Sequence, residues 1–147
     1  MRVQPVLVLG IQYFSSKFPL PLQDPQIPIH LKEFHCVILA VKVWGHLWAG
    51  KKIVIFCDND SVCDVITYLK PKDDRMQMYL REFLYWVCLF NFYPTVSKIS
   101  TRENDIADFL SRNFNQIDAE KFFKRENLPK QEIVEISDSD FIFKADW

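Results

Sequence analysis

Glycine is nearly absent from this chain. Only Gly10, Gly45 and Gly50 occur in 147 residues, so no glycine-rich loop exists to cradle a phosphate, and a receiver-like or nucleotide-binding α/β domain is the weakest functional reading. Cysteine is sparse. Cys36, Cys57, Cys63 and Cys88 form no C-x-x-C pair, and three of them lie inside apolar segments, where the thiol packs as a small hydrophobe. This usage suits a reducing, intracellular compartment (cytoplasm or nucleus) better than a disulfide framework. His30, His35 and His46 do not fall at ligand spacing with the thiols, so a Cys/His zinc site is not expected. No apolar run approaches the ~20 residues of a membrane span, and the N-terminus has no signal-peptide layout; a soluble chain with no membrane partner is expected. Net charge is −1, which carries no global footprint for nucleic acid. Such a function needs a local basic face or a neighbouring domain. Finally, no acidic residue occurs before Asp24.

What is present is apolar and aromatic. Thirteen Phe in a chain 49% hydrophobic supply a proper core for one domain, and this length can bury roughly 70% of the unfolded surface. The most informative stretch is Lys51-Lys52-Ile53-Val54-Ile55-Phe56-Cys57-Asp58-Asn59-Asp60. A continuous apolar run bounded by polar residues predicts a strand buried on both faces. Ligand sites in open α/β sheets form outside such strand ends, where Asp58 stands. The plainer role for Asp58, Asn59, Asp60 and Ser61 is to turn the chain and cap the next helix.

Val3 to Phe14 reads as one or two strands around Gly10. An irregular segment with Pro19, Pro21, Pro25 and Pro28 leads to an amphipathic helix over 31–48. At 100° per residue, Leu31, Phe34, Val37, Ile38, Ala40, Val41, Trp44, Leu47 and Trp48 fill one arc; Lys32, His35, Lys42 and His46 lie opposite. Glu33 is the exception, an acid within the apolar arc. It must be paired, protonated or bound to a cation, or else serve a capping box at the helix start. Helices are predicted over 61–69 and 76–90, a strand over 92–99, and a short helix over 104–112 on which Asn104 and Asp108 share a face. Residues 1–112 form the predicted domain. Residues 113–147 are more polar and acidic and read as a linker or peripheral extension, with a short helix over 118–126 and Phe141, Ile142, Phe143 and Trp147 as anchors.

Three acids thus stand out by placement: Glu33, Asp58 and Asp108. Carboxylates that converge repel unless a cation sits among them, and oxygen ligands favour Mg²⁺ or Mn²⁺. Two such ions ~4 Å apart activate a water and stabilise the leaving oxygen in phosphodiester hydrolysis.

The series Pro28-Ile-His-Leu-Lys-Glu33-Phe, Trp44-Gly45, Gly50-Lys51, Cys57-Asp58-Asn59, Asn91-Phe92 and Asn104-Asp-Ile-Ala-Asp108-Phe-Leu-Ser-Arg112 resembles the ribonuclease H-like domain that follows the reverse transcriptase of DIRS-type, tyrosine-recombinase retrotransposons. The resemblance covers about residues 10–112. It implies an α/β fold, a mixed sheet flanked by helices. It implies hydrolysis of the RNA strand of an RNA–DNA hybrid with Mg²⁺ or Mn²⁺, and an upstream reverse transcriptase as polyprotein partner. Glu33, Asp58 and Asp108 would be the catalytic metal ligands, with Asn59 and Asn104 beside them. Lys98 and Arg102, with Lys70, Lys72 and Arg75, would form a basic rim for phosphates.

The chain also departs from the family. The family's first-strand Asp aligns with Gln4, and its His-x-Pro-Gly loop with Lys98-Ile99-Ser100-Thr101. An amide brings no charge to a metal pair. The N-terminal strands are therefore either incomplete or decayed. Two functions follow from the resemblance: a nuclease with a reduced carboxylate set, or a catalytically silent remnant that binds nucleic acid or protein.

Overall fold

The computed structural model of the protein describes residues 6–9, 12–112, 116–128 and 132–144. Gln4 and Gly10 lie outside the described residues. The chain starts with a hairpin, β1 (Val6–Leu9) and β2 (Gln12–Ser15), paired antiparallel with Leu9 opposite Gln12. After the proline-rich segment comes α1 (Ile29–Trp44), then β3 (Lys52–Cys57), α2 (Asp60–Tyr68), α3 (Asp74–Phe90) and β4 (Tyr93–Lys98). The short helices α4 (Asp105–Arg112) and α5 (Gln116–Arg125) follow, then β5 (Glu132–Ile133) and a single 3₁₀ turn at Asp138–Phe141. The architecture is mixed α/β.

Among the described residues the strands form two sheets, not the single mixed sheet expected. One has the order β1-β2-β5; the other is the parallel pair β3-β4. The pair is joined by α2 and α3, the crossover that parallel strands require. Its register sets Lys52 opposite Tyr93 and Cys57 opposite Lys98. The expectation that β3 is buried on both faces is overturned. Ile55 and Cys57 are buried, but Val54 and Phe56 are 53% and 59% exposed. Only one face of the pair meets helices, and β3 has no strand partner on its second edge among the described residues. The run is apolar throughout, yet its burial alternates with the strand period of two.

Helix α1 is the axis of the main core. Leu31, Phe34, Val37, Ile38, Ala40, Val41 and Trp44 pack against Ile55, Val62, Ile66, Met76, Leu80 and Phe83, and each such side chain contributes about 1.5–3 kcal/mol by leaving water. The polar arc predicted for α1 is solvated at His46, beyond the helix end, but not at its start. Lys32 and His35 are 7% and 3% exposed. The C-terminal segment covers that side: Phe141 joins the main core, and Phe141 and Phe143 both pack on the His35 ring. Lys32 donates to the Asp24 carbonyl at 3.0 Å, and His35 Nε2 meets the Phe141 carbonyl at 2.9 Å. Burial on both sides is possible here because the polar atoms find backbone partners.

A second, smaller cluster comprises Tyr13, Leu110, Ala119, Phe122 and Phe123. Consecutive residues of β2 serve the two clusters. Phe14 stacks on Trp44 of α1 at 5.3 Å, and Tyr13 meets Phe123 of α5 at 5.2 Å. Helices α1 and α4 therefore belong to different faces of the hairpin, and this separation governs where the predicted site residues lie.

Candidate metal centre

Two of the three predicted acids converge. Helix α1 begins at Ile29 with Pro28 as its N-cap and no side-chain cap bond. Glu33 therefore sits beyond the first turn, which removes the capping-box role for it. Its carboxylate turns inward toward the carboxyl end of β3. There it comes together with Asp58 and the Cys57 thiol: one ligand atom from each of Glu33, Cys57 and Asp58 lies within 4.8 Å of the others. Oε2 of Glu33 is fully buried and has no hydrogen-bond partner.

Asn59 organises this corner. Its Oδ1 accepts from the Val62 N–H at 3.1 Å and so caps α2. Its side chain also lies beside the Glu33 carboxylate and its backbone N–H beside the Cys57 thiol, where each opposes part of the rise in the neighbour's pKa. One residue thus ties the helix start, the inward acid and the strand-end thiol together. The capping role read for this stretch falls to Asn59, which leaves Asp58 half-buried and turned to Glu33.

The electrostatics follow from crowding anions in a poorly solvated place. Burial, then the neighbouring Asp58 charge, raises the Glu33 carboxyl to about 7, against the pull of the Asn59 bond. Burial pushes the Cys57 thiol up to about 12. Cys36, one turn along α1 from Glu33 and buried, is raised as well, first by burial and then by Glu33 and Cys57. Burial thus favours the protonated forms of Glu33 and Cys57.

Asp108 is not part of the cluster. It lies on α4 and lines a separate open pocket of about 540 Å³ with Thr101, Arg102, Asp105, Phe109, Phe122, Arg125 and Glu126. The physical reason is packing. The apolar side of α4 is spent on Leu110 against Tyr13, Phe122 and Phe123, and Phe109 stacks on Phe122 at 4.1 Å. Arg102 lines this same pocket, and Asn104 accepts the Asp108 N–H through its backbone carbonyl at 2.9 Å just before α4. Lys98 forms an exposed ion pair with Asp60. Of the predicted basic rim, Lys98 thus stands beside Cys57 on the paired strand, whereas Arg102 lines the Asp108 pocket. The sequence reading also missed Cys57 as a site residue. The signal was its position directly before Asp58, but its apolar neighbours pointed to plain packing.

No helix of the described residues is long and apolar enough to cross a membrane. No family model, no curated protein and no solved structure matches the chain.

Proposed function

We propose that the chain is a ribonuclease H-like domain of retrotransposon origin that hydrolyses the RNA strand of an RNA–DNA hybrid at the Glu33–Asp58 corner. The observation that carries this reading is the convergence of two carboxylates from separate elements, one with a fully buried and unpartnered oxygen. Two carboxylates suit a hard cation such as Mg²⁺ or Mn²⁺, which needs one or two from the protein and takes water or substrate phosphate for the rest. When bound, such an ion supplies water activation and neutralises charge on the phosphate. Glu33 and Asp58 would hold it. Asn59 stands beside the Glu33 carboxylate, and the inward face of α1 carries that carboxylate toward the end of β3. Lys98 and Arg102 would offer positive charge to the hybrid backbone, and Asn59 and Asn104 polar contacts. The natural partner on this reading is a reverse transcriptase in the same polyprotein.

The placement of Asp108 favours a second reading. With that acid in another pocket and Gln4 aligned with the family's first-strand Asp, the fold would persist as a silent module that binds nucleic acid or protein. Incubation of the chain with an RNA–DNA hybrid and Mg²⁺ or Mn²⁺ separates the two. The nuclease reading expects RNA-strand cleavage that Asp58→Asn reduces at least about 100-fold, the scale on which loss of one transition-state charge contact acts. Cleavage that Asp58→Asn leaves untouched would sink the carboxylate mechanism. Hybrid binding without cleavage would support the silent module.

A further inference from the structure

We infer that Glu33, Cys57 and Asp58 form a site for a thiophilic divalent ion of the Zn²⁺ class, in which the Cys57 sulfur shifts the preference away from Mg²⁺. The inference concerns the same corner as the nuclease reading and deepens it as regulation: a zinc-class ion would compete with Mg²⁺ and hold the site silent.

The argument begins with the donor set. Mg²⁺ takes oxygen ligands in near-octahedral order and leaves thiols alone, whereas thiolate with carboxylate suits zinc and its neighbours. Structural and catalytic zinc sites accept Cys sulfur at about 2.3 Å and carboxylate oxygen at about 2.0–2.2 Å in a tetrahedron. These lengths place neighbouring ligand atoms about 3.5 Å apart. The three donors here already lie within 4.8 Å of one another, so side-chain torsions of roughly an ångström close the set, and water takes the fourth position.

The second observation is burial. Cys57 is 8% exposed and Glu33 Oε2 is wholly enclosed without a partner. A buried oxygen with no donor is destabilising, and a cation beside it would remove that cost. Plain packing of Cys57 as a small hydrophobe explains its burial but not the unpartnered oxygen on the neighbouring Glu33. The supporting contacts are also those a metal site needs. Asn59 lies beside both the Glu33 carboxylate and the Cys57 thiol, and its place as the α2 cap fixes its own orientation.

The other thiols make suitable controls. Cys36 Sγ donates to the Lys32 carbonyl at 3.2 Å and Cys63 Sγ to the Cys57 carbonyl at 3.6 Å, whereas Cys88 is exposed on α3. Cys88 would bind soft ions by itself and is therefore replaced in the test.

The experiment titrates the full chain carrying Cys88→Ser with Co²⁺, and separately with Cd²⁺, and reads the thiolate-to-metal charge-transfer absorption. We expect one equivalent to bind with that absorption. Cys57→Ser should abolish it, and Asp58→Asn should weaken binding at least about tenfold, as even outer-sphere changes do at metal sites. Cys36→Ser should leave it in place. Because Cys57→Ser puts a hydroxyl in a buried place, Cys57→Ala serves as a second variant, with circular dichroism to confirm folding. Absence of the absorption in the Cys88→Ser chain, or its survival in folded Cys57→Ala, overturns the inference. The two readings fail separately. A chain that shows the band and never cleaves hybrid keeps the metal site and loses the nuclease reading. A chain that cleaves with Mg²⁺ but shows no band does the reverse.

Discussion

At the scale of single residues, Glu33 is the most consequential side chain. Its carboxyl titrates near 7 in the folded protein and near 4.5 in the unfolded chain. Between those values the folded state binds more protons, so stability falls as pH rises through this window and is flat above it. Glu33→Gln removes the penalty. We expect the variant to gain about 1–2 kcal/mol over the parent at pH 8, after allowing for the solvent reaching this half-buried group, and nothing at pH 4. Urea unfolding at both pH values checks it; a variant less stable at pH 8 would contradict the uncompensated acid. Inward placement of Glu33 was legible from helical periodicity alone. Its partner Cys57 was not, because a thiol in an apolar run has no distinguishing pattern until the fold brings it beside acids.

At the scale of elements, two contacts organise α1. The first is its close approach to α3. A Cβ built on Gly45 would stand 2.3 Å from Cδ2 of Phe90. The backbone at Gly45 is ordinary helical, with φ −55°, so alanine is conformationally acceptable there and would otherwise stabilise by about 0.4–1 kcal/mol. The clash decides the sign: Gly45→Ala is expected to cost about 1–3 kcal/mol by overpacking, read as a lowered urea midpoint, and Phe90→Ala should relieve most of it in the double variant.

The second contact is the C-terminal segment on the polar arc of α1. His35 is enclosed by Tyr79, Phe141 and Phe143, and Lys42 donates to the carbonyls of Asp140 and Ile142. Glu82, fully buried, accepts from Trp86 Nε1 at 2.9 Å and the Lys144 N–H at 2.8 Å. Burial lowers His35 from 6.5 to about 4, outweighing the bond to the Phe141 carbonyl. The folded state therefore resists protonation, and the stability this lends is present above pH 6.5 and lost as pH falls toward 4. At 1.36 kcal/mol per pH unit this amounts to about 3 kcal/mol. His35→Gln should flatten the acid limb of the stability curve by that amount, measured by urea unfolding from pH 4 to 7.5. An unchanged limb would mean that His35 does not carry the acid sensitivity. The helix was legible in the sequence, but its covered polar side was not: His35 and Phe141 are 106 residues apart, and nothing local in either links them.

At the scale of the whole molecule, one face of the parallel pair β3-β4 is largely exposed among the described residues. Val54, Phe56 and Tyr93 are 53%, 59% and 61% exposed on it. Parallel sheets usually have both faces covered, and an exposed apolar strand invites association. Phe56→Ser is expected to change folding stability by less than about 0.5 kcal/mol, as exposed substitutions do, while it lowers self-association in sedimentation. A large loss of stability would show that Phe56 is buried in solution.

The existence and type of most elements were set by local rules: period 3.6 in α1 and α3, the apolar run in β3, proline before α1 and capping types before α2 and α3. These depend on neighbours a few residues away, so the amino-acid sequence by itself determines them. It also determined that Glu33 points inward and that Asp58 ends a strand. The tertiary structure alone decided which of these groups meet. It put Glu33, Cys57 and Asp58 in one part-buried corner, set Asp108 in a separate open pocket on α4, and covered His35 on the polar side of α1 with Phe141 and Phe143. Such meetings depend on how whole faces pack, and the energy that selects them belongs to the assembled core rather than to any one stretch of chain.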